Sequence, residues 1–364
     1  MKILHVITSL RVGGAEKLMV DLLPNFKKLG NEVELFLFDG IDTPFKEQLE
    51  KAGIKIHVSR VEGNVYNPIN ILHLRKIINN YDIVHTHNTA PQLFAVLARA
   101  FCIKKSFILV TTEHNTTNRR RGNLFFKPID KWMYSQYSKI ICISKQAETN
   151  LRNYLNDDSS KIITIYNGID VSRYSIGSNN TIIDNHKKEY VITMVAAFRQ
   201  QKDQSTLIRA MSLLPDYFHL QLVGGGDSVL RDFNETLVKK LNLSERVNFM
   251  GMRTDIPMIL HNTDIVVLSS HYEGLSLASL EGMASGKPFV ASDVDGLREI
   301  VNGYGLLFPH EDAQALADIL LSLSKDRAYA DKIALKCQER AKQFDISESA
   351  KQYNEIYQDM IKKL

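Results

Sequence analysis

Short apolar runs alternate with stretches of helical period along nearly the whole chain. From residue 1 to about 170 the strand candidates are 3 to 8, 33 to 38, 55 to 58, 82 to 86, 107 to 112, 139 to 143 and 161 to 165. Helix-period segments lie between them, such as 14 to 29, which stops at Gly30, and 90 to 101, with Arg99 on an otherwise apolar face. Strands that read as continuous apolar runs are those of a parallel sheet covered on both faces. Residues 175 to 188 are polar and without period, as a linker would be. The rhythm then restarts, with strands near 190 to 197, 218 to 223, 247 to 250, 264 to 268, 288 to 291 and 306 to 308. The economical reading is two doubly wound α/β halves, 1–172 and 173–345, with a crevice between them and ligands at the carboxyl ends of the strands. From Glu311 onward the pattern is helical, and the last helix carries Tyr353, Ile356, Tyr357 and Met360 on one stripe. Taken alone, that stripe would simply pack on the second half.

Length supports two cores, because 364 residues exceed what a single core usually spans. The net charge of +4 is too small and too dispersed to argue for nucleic acid, and it suits an anionic ligand or membrane surface. Cys102, Cys142 and Cys337 are odd in number and set in apolar surroundings, which predicts buried free thiols in a reducing compartment. The run Ile3 to Leu10 is broken by His5, Thr8 and Ser9, and suits a first strand better than a signal-peptide core. No stretch approaches the roughly 18 to 20 apolar residues of a membrane span. The expected location is cytoplasmic, with peripheral contact on the inner face of the cytoplasmic membrane as an option.

The most informative stretch runs from Glu273 through Gly274, Leu275 and Ser276 to Glu281, then Gly286-Lys-Pro288 and Ser292-Asp293. It follows the apolar run 265 to 268 and enters a helix-period pattern, which places Glu273 in a loop and Glu281 on the helix. Gly274 allows close backbone approach, and Ser276 is a plausible N-cap whose following amides carry the positive end of the helix dipole. The two carboxylates suit two hydroxyl-bearing rings. The ordinary alternative is a strand-turn-helix unit with a capping acid and a solvated glutamate.

From Glu273 to Glu299 the sequence resembles the signature of retaining glycosyltransferases of family four, in which two glutamates seven residues apart precede a small-residue helix and a Gly-x-Pro strand. The resemblance implies the GT-B fold, two doubly wound Rossmann-like domains, with the last helix, 346–364, returning to the first. It implies that Glu273 meets donor sugar hydroxyls and Glu281 the nucleotide ribose.

Four further motifs gain meaning beside it. Gly13-Gly14 opens the first helix, and a glycine pair there permits a tight turn whose amides meet a phosphate or acceptor; it is neither a G-x-G-x-x-G fingerprint nor a P-loop. His85, His87 and His114 end two strands. The first two share a strand face, yet no third ligand or carboxylate cluster is evident to complete a metal site, and a satisfied hydrogen bond near a strand end is the ordinary outcome. By resemblance His114 stands beside the donor sugar, through its carbonyl or its ring, and His87 nearer the acceptor. Arg199 and Lys202 would be surface charges taken alone. In the family an arginine and a lysine in this loop neutralise the leaving diphosphate. Arg253, in a segment resembling the one beside the nucleobase, is a candidate donor contact. Val223-Gly-Gly-Gly-Asp227 reads as a shape requirement, and Asp293-Val-Asp295 as part of a structural turn rather than a metal ligand pair. Residues 118–137 combine three arginines with Phe125, Phe126 and Trp132, as either an interfacial membrane segment or a solvated basic loop before a buried helix.

The combined expectation is a retaining, metal-independent glycosyltransferase without a cofactor, moving a sugar from a nucleotide-diphosphate donor to a glycan or lipid-linked acceptor in cell-surface polysaccharide synthesis. The family's habits imply a UDP-hexose or UDP-N-acetylhexosamine. Its catalytic set would be His114, Arg199, Lys202 and Glu273. Two rivals stand beside it: a nucleotide-sugar epimerase of the same plan, needing no acceptor, and a non-catalytic subunit, against which the retained Arg199, Lys202, Glu273 and Glu281 speak.

Overall fold

The computed structural model describes residues 1–11, 13–60, 64–102, 107–115, 121–123, 125–174 and 189–363. The expected linker at 175–188, as well as Asn118, Arg119, Arg120 and Leu124 of the basic aromatic segment, lies outside them. The chain divides into two units, Met1–Gly168 with Ile346–Leu364, and Ile169–Asp345. The division falls four residues before the 172/173 boundary read from sequence. The Ile169 N–H donates to the Phe344 carbonyl at 3.0 Å, and Ile169 forms a bridge with Asp345, so this segment belongs to the second unit.

In the first unit strands and helices alternate: β1 (Lys2–Ile7), α1 (Gly14–Lys28), β2 (Glu32–Asp39), α2 (Pro44–Lys51), β3 (Lys55–Arg60), α3 (Ile69–Ile78) and β4 (Ile83–His87). There follow α4 (Thr89–Ala100), β5 (Ile108–Glu113), α5 (Phe126–Ser135), β6 (Lys139–Cys142), α6 (Lys145–Leu155) and β7 (Ile162–Thr164). The strands form one parallel sheet in the order β3-β2-β1-β4-β5-β6-β7. Its order reverses between β1 and β4, the place where ligands of open α/β sheets gather. Side-chain alternation splits the core. Leu4 and Val6 face a cluster with Phe94, Met133 and Leu151, while Ile3 and Ile7 face Phe26, Tyr353 and Tyr357.

The second unit repeats the plan: β8 (Tyr190–Val195), α7 (Gln204–Met211), β9 (Phe218–Val223), α8 (Ser228–Lys240), β10 (Val247–Gly251), α9 (Ile256–His261) and β11 (Ile265–Leu268). Then come α10 (Leu277–Ala284), β12 (Phe289–Ser292), α11 (Asp295–Val301), β13 (Leu306–Phe308), α12 (Ala313–Lys325) and α13 (Arg327–Lys342). The order β10-β9-β8-β11-β12-β13 reverses between β8 and β11.

The last helix, α14 (Ile346–Ile361), completes the first unit. Its buried stripe explains why: Tyr357 stacks on Phe26 at 5.7 Å and its hydroxyl bonds His85 Nδ1, while the Tyr353 hydroxyl lies 3.3 Å from Thr112 Oγ1. Aromatic pairs of this kind add roughly 0.5–1.5 kcal/mol beyond burial, and the two hydroxyls find partners on β4 and β5. All three cysteines are free and buried.

The glycine turn after β9 shapes the loop that follows β8. Gly224 and Gly226 sit at φ 150° and 138°, and a Cβ on Gly226 would stand 2.5 Å from the Phe198 carbonyl oxygen. The Asp227 N–H donates to that same oxygen at 2.9 Å. Gly226→Ala is therefore expected to lower unfolding free energy by about 1–3 kcal/mol, measured by urea denaturation; an unchanged midpoint would refute the assigned role.

Candidate active site

Lys202 and Glu273 meet at the switch point of the second sheet. Lys202 ends the single turn Gln200–Lys202 that follows β8, and Glu273 lies in the loop after β11. The Lys202 ammonium pairs with Glu273 Oε1, with side chains only 16% and 6% exposed. Ser270 Oγ donates to the same oxygen at 2.6 Å, and Gln201 Nε2 lies 3.3 Å from Oε2 and 2.7 Å from the Tyr272 carbonyl. A carboxylate so surrounded is held in one orientation while its charge is balanced. Arg199, three residues before Lys202, is exposed, and its side chain makes no ion pair or hydrogen bond among the described residues.

The loop continues through Gly274 and Leu275 to Ser276, which caps α10 as its residue type predicts, its hydroxyl accepting from the Ser279 N–H. Gly296 presses against this backbone, since a Cβ there would lie 2.3 Å from the Glu273 carbonyl oxygen and 2.4 Å from that of Gly274. Glu281 is buried on α10 and accepts from the Tyr174 hydroxyl at 2.8 Å. The glutamate on the helix is therefore a positioned group, against the solvated alternative. Arg253 forms a bidentate pair with Asp255 at 2.8 and 2.6 Å on an exposed turn after β10. Asp293 and Asp295 both engage Arg298, at 2.6 and 3.4 Å.

At the switch point of the first sheet, three expectations are corrected. Gly13 has φ −173°, an extended conformation open to any residue, and Gly14 shows no positive φ either, so no tight turn explains the pair. A Cβ on Gly13 would meet the Glu16 carboxylate, whereas one on Gly14 would meet nothing within 4 Å. His87 is fully buried, so its ring cannot touch an acceptor directly. A third histidine was also missed. Register pairs His5 of β1 with His85 of β4, and the three rings His5, His85 and His87 bring ligand-type nitrogens within 4.8 Å of one another.

That cluster is sealed, and its nitrogens are largely committed elsewhere. His85 bonds the Tyr357 hydroxyl and, at 2.7 Å, Thr112 Oγ1. His5 Nδ1 lies 3.0 Å from His87 Nε2, and His87 Nδ1 lies 2.9 Å from His114 Nε2. The result is a relay of three imidazoles leading from the core to His114, half-buried just beyond β5. Burial lowers the His5 pKa to about 3 and that of His114 to about 4; burial and then the neighbouring rings hold His85 and His87 well below the usual value. All four are neutral near pH 7, so each contact needs one N–H and one lone pair. Only two proton arrangements satisfy both links, and they differ in whether His114 presents an N–H or a lone pair at Nδ1.

One arginine of the 118–137 segment, read as either interfacial or solvated, is neither. Arg121 is nearly buried and pairs with Glu113 at 3.1 Å, an oxygen that also accepts from the Tyr134 hydroxyl at 2.5 Å. Phe125, Ile129 and Trp132 remain exposed, at 85%, 45% and 45%. No helix among the described residues is long and apolar enough to cross a membrane.

Two parallel doubly wound sheets, each gathering polar groups at its reversal, define a two-unit α/β protein of the Rossmann-like class. Residues 12–173 match the family model Glycosyltransferase Family 4, and residues 179–344 match Glycosyl transferases group 1. The chain belongs to glycosyltransferase family four, with the GT-B fold, and is a glycosyltransferase. It is 25% identical to UDP-Gal:alpha-D-GlcNAc-diphosphoundecaprenol alpha-1,3-galactosyltransferase of Escherichia coli, across 99% of this chain and 97% of that protein. It is 27% identical to N-acetylgalactosamine-N,N'-diacetylbacillosaminyl-diphospho-undecaprenol 4-alpha-N-acetylgalactosaminyltransferase of Campylobacter jejuni, across 93% and 94%. Among solved structures, Anabaena HepE in complex with UDP superposes with a TM-score of 0.84 at 23% identity, covering 99% of this chain and 100% of that one, a likeness of fold.

The buried imidazoles predict acid lability. Each is neutral when folded but takes a proton near pH 6.5 when unfolded, so their contribution is intact above that pH. It falls away as the pH drops toward about 4 for His114 and about 3 for His5. His5→Phe is expected to flatten this decline in urea titrations across the range; an unaltered slope would count against the relay as its source.

Proposed function

We propose that this protein transfers a sugar, with retention of configuration, from a UDP-hexose or UDP-N-acetylhexosamine to a lipid-linked glycan in polysaccharide synthesis. The observation that carries this reading is the Lys202–Glu273 pair at the β8/β11 reversal, with the exposed Arg199 three residues before Lys202. The Escherichia coli and Campylobacter relatives, whose names specify diphosphoundecaprenol-linked acceptors, support the acceptor class.

In this mechanism the difficult quantity is negative charge on the departing diphosphate. Arg199, Lys202 and the amides that open α10 meet that charge, each well-placed donor being worth roughly 2.7–4 kcal/mol. Glu273 turns its carboxylate to the sugar hydroxyls, Glu281 holds the ribose, and Gly14 leaves space for the donor to approach. Arg253, already paired with Asp255, adds a contact near the base. His114 meets the sugar near its reacting carbon, with His87 behind it as a positioning residue and Gly13 on the acceptor side. A leaving phosphate oxygen takes the acceptor proton on the same face, so no metal is required on the diphosphate.

The exposed Phe125, Ile129 and Trp132 on and before α5, with Lys131 between the last two, suit peripheral contact with an anionic membrane that carries such acceptors.

Transfer assays with UDP-sugars and a polyprenyl-diphosphate glycan should give a product of retained anomeric configuration by NMR, undiminished by chelator. Lys202→Ala and Arg199→Ala should each reduce kcat by about 10²–10³, and Glu273→Gln should reduce it as well. An inverted product, or an epimerised sugar nucleotide formed without acceptor, would defeat the reading. Phe125→Ser combined with Trp132→Ser should weaken co-sedimentation with phosphatidylglycerol vesicles while sparing transfer to a soluble acceptor; equal sedimentation would remove the membrane proposal alone.

A further inference from the structure

Three loops at the carboxyl ends of β8, β11 and β13 bring metal-type ligands toward one point. Asp203 follows the turn after β8, His271 lies three residues beyond β11, and His310 and Glu311 lie two and three residues beyond β13. His271 Nδ1 stands 2.8 Å from His310 Nε2, 3.3 Å from Glu311 Oε1 and 4.0 Å from Asp203 Oδ2, and His310 Nε2 stands 4.0 Å from Glu311 Oε1. Ligands about 2.0–2.1 Å from a tetrahedral zinc ion are about 3.3–3.4 Å apart. His271, His310 and Glu311 offer atoms that all lie within 4.8 Å of one another, whereas Asp203 Oδ2 stands outside that set, 4.0 Å from His271.

Two independent features point to a missing positive partner. The Asp203 side chain is 7% exposed; its Oδ1 accepts from the Thr206 N–H to cap α7, yet its Oδ2 is buried without a hydrogen-bond partner on the side toward His271. A carboxylate oxygen in that state is unfavourable unless something compensates it. Glu311, moreover, adopts φ 62°, a left-handed conformation that glutamate rarely takes, and from there its carboxylate reaches His271.

We propose that His271, His310 and Glu311 bind one zinc-class divalent cation with water as the fourth ligand, the Asp203 carboxylate balancing charge from beside His271, so that the cation ties the loop bearing Glu273 to the one after β13. Two imidazoles and a carboxylate suit Zn²⁺, with Co²⁺ and Ni²⁺ as substitutes, whereas Mg²⁺ favours an octahedral oxygen set. His310 and Glu311 are exposed, so the cation has a way in from solvent. None of these residues is assigned to the donor, and the cation takes no part in transfer. The backbone already joins the loops after β8 and β11, through the His271 N–H donating to the Gln201 carbonyl at 2.8 Å and Ser269 Oγ donating to that of Asp203 at 2.8 Å. A cation would add a third tie, to β13.

The test is calorimetric titration of the full chain, stripped by chelator, with ZnCl₂ and in parallel with MgCl₂. One equivalent of Zn²⁺ should bind and raise the melting temperature by mass action, with Mg²⁺ without effect, and Co²⁺ should show the visible absorption of a four-coordinate site. His310→Ala, a surface change checked for folding by circular dichroism, should weaken Zn²⁺ binding by at least the roughly 10- to 100-fold lost when a metal ligand's outer partner is removed, and leave turnover intact. Glu311→Gly should weaken binding while stabilising the zinc-free protein by relieving its backbone. Absence of saturable Zn²⁺ binding would overturn the proposal, reducing the cluster to a hydrogen-bonded histidine–carboxylate group. Wild-type affinity in His310→Ala would overturn it equally, whatever turnover shows about the donor site.

Discussion

The Lys202–Glu273 pair is the constraint around which the second unit's site is arranged. Taking an ammonium and a carboxylate out of water is costly, and breaking a buried pair by deleting one partner typically costs about 3–5 kcal/mol. Here the cost is offset by Ser270 and Gln201, which satisfy the carboxylate further. The Gly224–Gly226 turn supports the chain carrying Arg199, and Gly296 lets α11 approach the Glu273–Gly274 backbone. None of this surrounding structure is needed merely to bury apolar surface. Under the proposed function the pair has a second use: each member neutralises the other until a donor arrives, when the diphosphate takes the lysine and sugar hydroxyls take the glutamate. The site is then preorganised without carrying an unbalanced charge.

Much of the fold could be read from the chain because parallel strands covered on both faces appear as uninterrupted apolar runs. The strand ends fall within two residues of expectation throughout, as at 218 to 223 and 306 to 308. The pair Glu273 and Glu281 was readable for a related reason: a strand, a loop and a capped helix are all local, so their spacing survives into three dimensions. What could not be read depends on register between distant segments. His5 meets His85 only because β1 lies beside β4 in one alignment, and nothing in a strand containing one histidine announces that neighbour. Arg121 sits in a basic run, and only the fold reveals Glu113 and Tyr134 waiting for it. Gly13 suggested a turn by residue type, whereas its backbone is extended.

The two histidine clusters show how surroundings, and not ligand count, decide chemistry. His5, His85 and His87 lie at zero exposure among Phe26, Tyr353 and Tyr357, with no carboxylate in the cluster, so protonation is suppressed; His5 and His87 bond each other, and His85 bonds Tyr357 and Thr112. A cation placed there would have to displace those hydrogen bonds and would find no anionic ligand to balance its charge. His271 and His310 stand in the opposite setting, open to solvent and faced by Asp203 and Glu311, where anionic oxygens compensate a dication and water is displaced at little cost. The sealed cluster is thus suited to transmitting a choice of proton position outward to His114, and the open one to gathering charge. The sealed cluster stands on the paired strands β1 and β4, whereas the open one is carried by loops that converge at the carboxyl ends of β11 and β13.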